Sequence, residues 1–280
     1  MREFLSRFAR NKGAVLGAIV LLAVALLALL APLLFPGSPW DIVGHPFQQP
    51  LQPAGPLLGT DTLGRDIAAG IAHGARVTLL LSLVSTAVAL SIGVVLGAFA
   101  GYYGGVVDDA IMRFTEFFQT IPNFILLVVL VAILTPSIAS IVLAIGCVSW
   151  PPLARIVRGE FLSLRSREFV QAAVVIGQSN LRIIFTQVLP NSLAPVIVSA
   201  SLMVATAVLL ESALSFLGLG DPNLMSWGYM IGAARTVLRQ AWWMSFFPGV
   251  AIALTVLALN LVGEGLNDAL NPRLARQARA

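Results

Sequence analysis

Six long apolar runs, each without a charged residue or nearly so, divide the chain, and polar or proline-rich segments separate them. They cover residues 13–35, 77–100, 117–134, 138–154, 192–210 and 245–262. A membrane-spanning helix needs about 20 such residues, so the pattern predicts an all-α, polytopic bundle of six transmembrane spans. The first run follows a basic arm, residues 1–12, as a secretory signal would. Its 23 residues exceed the usual signal apolar region of about 7 to 15, which predicts an uncleaved span.

The segments between the runs carry their own expectations. Six prolines between positions 36 and 56 predict an extended aqueous loop over 36–76. In the second run Gly93, Gly97 and Gly101 recur four apart, a spacing that lets a neighbouring helix approach closely. Thr135-Pro136-Ser137 predicts a tight turn, and Pro151-Pro152 is expected to kink or end the fourth span. The remainder, 77–280, reads as one core of five helices, with a hydrophilic loop at about 158–190 and a polar tail at 264–280.

Composition agrees with the runs. Only 11% of the residues are charged, against roughly a quarter in soluble domains, and mean hydropathy is +0.91. The 17 basic residues are scattered at segment ends with no basic stripe, which argues against a nucleic-acid partner. With six spans and the N-terminus inside, 13 of them fall on the cytoplasmic side, and only Arg65, Arg76, Arg235 and Arg239 on the other. Basic loops favour the cytoplasm, so both termini are expected there. The one lysine, Lys12, precedes Gly13, so no Walker-type phosphate loop exists. With only Cys147, His45 and His73, disulfide frameworks and Cys/His zinc clusters are excluded. Cys147 reads as a small packing residue.

The hydrophilic loop is the richest segment. Phe169, Ala172, Ala173 and Ile176 recur at helical spacing and predict a short helix with a small apolar face. Held outside the membrane, such a helix suits a cleft on another protein. Gly177 permits a sharp turn, Gln178-Ser179-Asn180 offers capping groups for a second short helix, and Leu189-Pro190 is expected to end it. Elsewhere, Asp61 and Arg65 are spaced to pair at the mouth of the second span, where Gly59 and Gly64 supply turns and Asp66 adds a second carboxylate. Structural order and ligand contact both remain open for this stretch, and two carboxylates alone make weak grounds for a hard metal. Glu211, at the outer edge of the fifth run, is costly unless it faces a partner or a wet cavity. It reads either as pore wall or outer gate, or as an ion pair holding the external loop. Arg113 and Glu116 are expected to pair with each other.

The stretch Gln171-Ala172-Ala173, Gly177, Leu189-Pro190 resembles the E-A-A…G…L-P loop of bacterial ABC importer permeases, with Gln171 where Glu is usual and Gln187 where an aliphatic residue is common. Residues 59–66 are similar to the G-T-D-x-L-G-R-D signature of the C-type permeases of the peptide and nickel importers. So are the segment 211–220 with Ser226-Trp227-Gly228, and the segments 259–263 and 268–273, with Asn271 where Asp is usual. The resemblance covers nearly the whole chain. It implies a type I importer permease fold in the bacterial inner membrane and half of a translocation path for a peptide or related small solute. It also implies a second homologous permease, an extracytoplasmic substrate-binding protein, and two cytoplasmic ATPases that bind ATP and Mg, leaving no cofactor in this chain. The loop through Phe169 and Pro190 would then couple ATPase closure to the helices. The rival reading, an ion-driven secondary transporter, expects charged groups near mid-membrane in broken helices, and the first, second and sixth runs lack them.

Overall fold

In the computed structural model, which describes residues 2–53 and 55–270, the chain is helical apart from loops and two isolated bridges, Ile42 to Arg65 and Thr60 to Asp66. A short amphipathic helix, α1 (Arg2–Arg10), leads into α2 (Lys12–Leu34). Asn11 caps α2 by accepting from the amide of Ala14 at 3.0 Å, and its own amide donates to Asp268 at 2.9 Å, fastening the N-terminal arm to the end of α12 (Trp243–Leu270). Gly17 makes the α2 and α12 backbones meet: a Cβ there would lie 2.7 Å from the carbonyl oxygen of Ala258. The opposite side of α2 presents Leu22, Leu29 and Leu33, all largely exposed. In water that surface would be a liability; in a bilayer it faces solvent of its own kind.

The second span starts earlier than its apolar run. Helix α3 (Ile67–Tyr103) begins ten residues before position 77, because Asp66 caps it by accepting from the amide of Ala68 at 2.8 Å. Arg76, assigned to the aqueous loop from sequence, is therefore helical. The three glycines of this helix do what their spacing predicts. A Cβ on Gly93 would sit 3.0 Å from the carbonyl oxygen of Trp150, one on Gly101 2.6 Å from that of Arg158, and one on Gly97 would overlap the carbonyl of Ala154. Helix α6 (Ile138–Leu164) thus lies against α3 backbone to backbone.

The third run departs from expectation. It is not one helix over 117–134 but parts of two, α4 (Gly105–Thr120) and α5 (Asn123–Leu134), bent by 84° at the break. Pro122 has no amide to donate and forces Ile121 into an extended conformation, so the helix stops at Thr120. Among the described residues five helices are long and apolar enough to cross a membrane, and six spans result if the bent pair is one of them. The prolines of α6 do not end it: the helix runs through Pro151-Pro152 to Leu164 and absorbs the first residues of the expected loop. Arg113 and Glu116 stay exposed and do not pair; the ion pair here is Arg158, which donates through both Nε and Nη2 to the carboxylate of Asp108 and joins α6 to α4. Of the expected tail, 264–270 is the last part of α12, and 271–280, with Asn271, lies outside the described residues.

Candidate functional site

Three groups of residues singled out by the sequence occupy three places. The hydrophilic loop folds as α7 (Glu168–Val175), α8 (Asn180–Ile183), a π-helical turn (Ile184–Val188) and α9 (Leu189–Asn191), followed by α10 (Leu193–Phe216). Gly177 ends α7 in the left-handed region at φ +77°, and the amide of Gln178 reaches back to the carbonyl of Ala173, which closes the end of the helix. Pro190 does not break the chain as expected, because it lies in the first turn of α9, where a missing amide costs nothing. Ser179 precedes α8 without a side-chain cap; instead Asn180 accepts from the hydroxyl of Tyr102 at 3.1 Å.

The apolar stripe of α7 is split between two faces. Val170 and Ala173 are buried against Val157, Phe161, Ile183 and Val188, which anchors the helix to α6 and to the π turn. Phe169, Ala172 and Ile176 point out, with Val175, and Gln171 lies alongside them, its side-chain amide donating to the carbonyl of Arg165 at 3.1 Å. The result is a helix seated through two side chains, with an outer surface that is apolar, small at its centre and uncovered among the described residues.

Glu211 lies in α10 and is 1% exposed. In place of the ion pair considered from sequence, its Oε1 accepts from the hydroxyls of Ser215 at 2.9 Å and Ser226 at 2.7 Å, and no basic side chain among the described residues pairs with it. Ser226 in turn caps α11 (Trp227–Ala234), accepting from the amide of Tyr229 at 3.1 Å. Trp227 then binds α3 twice, through its amide to the Thr78 hydroxyl and through its indole to the carbonyl of Ile71. Glu211 therefore ties α10 to α11, and α11 to α3.

Residues 59–66 form a brace over the start of α3. Asp61 accepts from the amides of Leu63 and Arg65, both at 2.8 Å, and its ion pair with Arg65 is loose at 3.9 Å. The Arg65 guanidinium lies over the ring of Trp40 at 4.7 Å. Thr60 is buried, its hydroxyl bonded to His45 and Gln48, and its carbonyl accepts from the indole of Trp243 at 3.1 Å. Gly59 and Gly64 both have positive φ, and a Cβ on Gly64 would overlap the carbonyl of Gly44. The motif's carboxylates are spent on backbone amides, and among the described residues no group of three or more His, Cys, Asp or Glu gathers to hold a metal.

Burial pushes the Asp66 carboxyl above its ordinary value, against amide hydrogen bonds from Ala68 and Ala69 that pull it down. A carboxyl raised on folding contributes stability that is full below its unfolded value, about 3.9, and lost as pH rises through the folded one. Asp66→Asn keeps a capping oxygen and removes the charge. The melting temperature of the variant relative to the parent, in detergent, is expected to increase from pH 4 to pH 7; a difference that is flat with pH would show that the charge is not the cost.

Sequence reasoning missed the Asp108–Arg158 pair, whose partners are 50 residues apart, and the bond from Trp243 to Thr60, 183 apart. It also left the faces of α5, α6 and α10 unassigned.

Comparison with known proteins covers these elements nearly end to end. Residues 93–276 match the family described as binding-protein-dependent transport system inner membrane component, and residues 1–53 match the N-terminal transmembrane domain of oligopeptide transport permease C. The Di/tripeptide transport system permease protein DppC of Pseudomonas aeruginosa is 40% identical over 99% of this chain and 94% of its own length. The Oligopeptide transport system permease protein OppC of Haemophilus influenzae is 38% identical over 95% and 86%. Among solved structures, a chain of the MetNI methionine ABC transporter in an inward facing conformation superposes with a TM-score of 0.59, at 18% identity, over 72% of this chain and 96% of its own. That likeness is one of fold.

Proposed function

This chain belongs to the family of binding-protein-dependent transport inner membrane components, as a permease subunit of an ABC importer in the bacterial cytoplasmic membrane, and on that premise we propose that it forms half of a translocation path for di- or oligopeptides. It is a transport subunit, and importers of this kind work with ATPase and substrate-binding partners. In our reading the complex holds this chain, a second homologous permease, two ATPases that bind ATP and Mg, and an extracytoplasmic binding protein, with both termini of this chain in the cytoplasm.

The observation that carries the coupling role is α7. Its inner residues, Val170 and Ala173, are buried in a cluster shared with α6 and the π turn, while Phe169, Ala172 and Ile176 offer an apolar surface that no described residue covers. A groove on an ATPase that receives this surface would move α6 and α10 together, because Phe161 of α6 and Val196 of α10 belong to the same buried cluster as Val170 and Ala173. Gln171 serves this arrangement without a carboxylate. Leu189 and Pro190 start the last turn before α10, and Gly177 fixes the angle between α7 and α8. Glu211 acts at the outer gate as a latch between α10 and α11. The 59–66 brace, through Gly59, Asp61, Gly64, Arg65 and Asp66, orders the extracytoplasmic entrance of α3. Substrate choice then rests largely with the binding protein.

The test is co-purification in mild detergent from the native membrane, followed by mass spectrometry and an assay of peptide-stimulated ATP hydrolysis. A second permease and Walker-motif ATPases in the same particle are expected. A chain that purifies alone and transports under an ion gradient would overturn the reading in favour of a secondary transporter.

A further inference from the structure

Two interruptions of regular backbone meet at one place in the membrane-spanning part of the fold. A cleft of about 320 Å³ opens between α5, α6 and α10, and its lining includes Asn123, Ser149, Pro152, Ser199, Met203 and Thr206. Asn123 is the first residue of α5, just past the 84° bend. Pro152 is the second proline of α6 and cannot donate to the carbonyl of Val148, another residue of the cleft. Val148, Ser149, Pro152 and Leu153 of α6 and Leu202, Met203 and Thr206 of α10 lie in the middle thirds of two helices long and apolar enough to cross a membrane, with Ser199 just before that third of α10.

Its chemistry is specific. No lining residue is charged, yet Asn123, Ser149, Ser199 and Thr206 place four amide or hydroxyl groups on its wall. Thr206 gives its proton to the carbonyl of Leu202 at 3.0 Å and keeps its lone pairs free. Toward hydrocarbon such groups are costly, and broken backbone at membrane depth is tolerated only where protein buries it or water wets it. The outer face of α2, by contrast, is leucine. Resting on the peptide-importer reading above, we infer that this cleft is the chain's own wall of the translocation path, and that it meets the cargo through hydrogen bonds to the peptide backbone. A wall with amides and hydroxyls but no charge matches what all peptides share and is indifferent to the charges in which they differ. A volume near 300 Å³ is at the small end of ligand pockets, as suits one wall of a path completed by a second permease.

The experiment uses the whole transporter in lipid nanodiscs, in a Cys147→Ser background that retains uptake. Thr206→Cys, Ser199→Cys and, for comparison, Leu22→Cys on the leucine face of α2 are treated with a charged methanethiosulfonate, with and without trialanine and ATP. Because the reactive thiolate needs water, Thr206→Cys and Ser199→Cys are expected to react about tenfold faster than Leu22→Cys, and trialanine is expected to slow them. Equal rates at all three positions would overturn the inference, as would reaction unaffected by peptide in a complex whose ATP hydrolysis trialanine stimulates. If neither dialanine nor trialanine stimulates hydrolysis in the unmodified complex, the peptide reading itself fails, whatever the labelling shows.

Discussion

Ala172→Arg is expected to abolish uptake while leaving the subunit folded and in the membrane. Ala172 is exposed at the centre of the outer face of α7, so a long cation there has room among the described residues. Seated in a groove, the same cation is buried without a partner, at a cost of about 3 kcal/mol or more, which corresponds to about a hundredfold weaker association. The readout is ATPase retention on the purified permease, measured beside uptake. Retention and uptake at parent levels would remove α7 from the coupling role. Ala173→Arg, which the sequence alone invites as a companion, confounds the test: Ala173 is 4% exposed and packs inward, so its replacement damages the seat of the helix rather than its outer face.

The second large effect is expected at Gly97→Leu. A Cβ at this position overlaps the carbonyl of Ala154 and lies 2.8 Å from the Cβ of Val157, so the obstruction is backbone and cannot rotate away. Overpacking a tight core costs about 1–3 kcal/mol when side chains can yield, and here α3 and α6 must separate along their length. Loss of most folded protein from the membrane is expected, read as the monodisperse fraction after detergent extraction. Gly159→Ala, on the other side of α6, is the control: its Cβ meets nothing within 4 Å, and expression at the parent level is expected. If Gly97→Leu folds as well as Gly159→Ala, the close helix contact is not what holds these two elements.

The contrast between these glycines shows which parts of the fold the sequence made legible. Gly93, Gly97 and Gly101 announce their contact because a repeated spacing of four brings small residues to one helical face. The run from 117 to 134 misled for the converse reason: hydropathy counts apolar residues and is blind to Pro122, whose missing amide turns one run into parts of two helices. At 59–66 the sequence showed the residues of a turn without showing that Thr60 is its buried centre. Ser226 gave no hint that it is the partner of Glu211, since donor and acceptor are 15 residues apart, one capping α11 and the other within α10. The spacing from Phe169 to Ile176 predicted a short helix where α7 lies, but its periodicity could not say which half of the stripe faces home. Val170, outside the predicted stripe, is the anchor, and Phe169 within it is partly exposed. Helical spacing defines faces; tertiary contact decides which one is covered.

Helix α6 also has a mechanical meaning. At 1.5 Å per residue its 27 residues make a rod about 40 Å long, running from the turn at Ser137 to within four residues of α7. A rod of that length converts a tilt of about 3° at one end into a travel of about 2 Å at the other. Two missing hydrogen bonds at Pro151 and Pro152 make its middle softer in bending than either arm, and the glycines of α3 press on the softened stretch and the arm beyond it. A bending load on either arm of α6 therefore collects at this joint, beside the cleft that Ser149 and Pro152 line, before it reaches the other end of the rod.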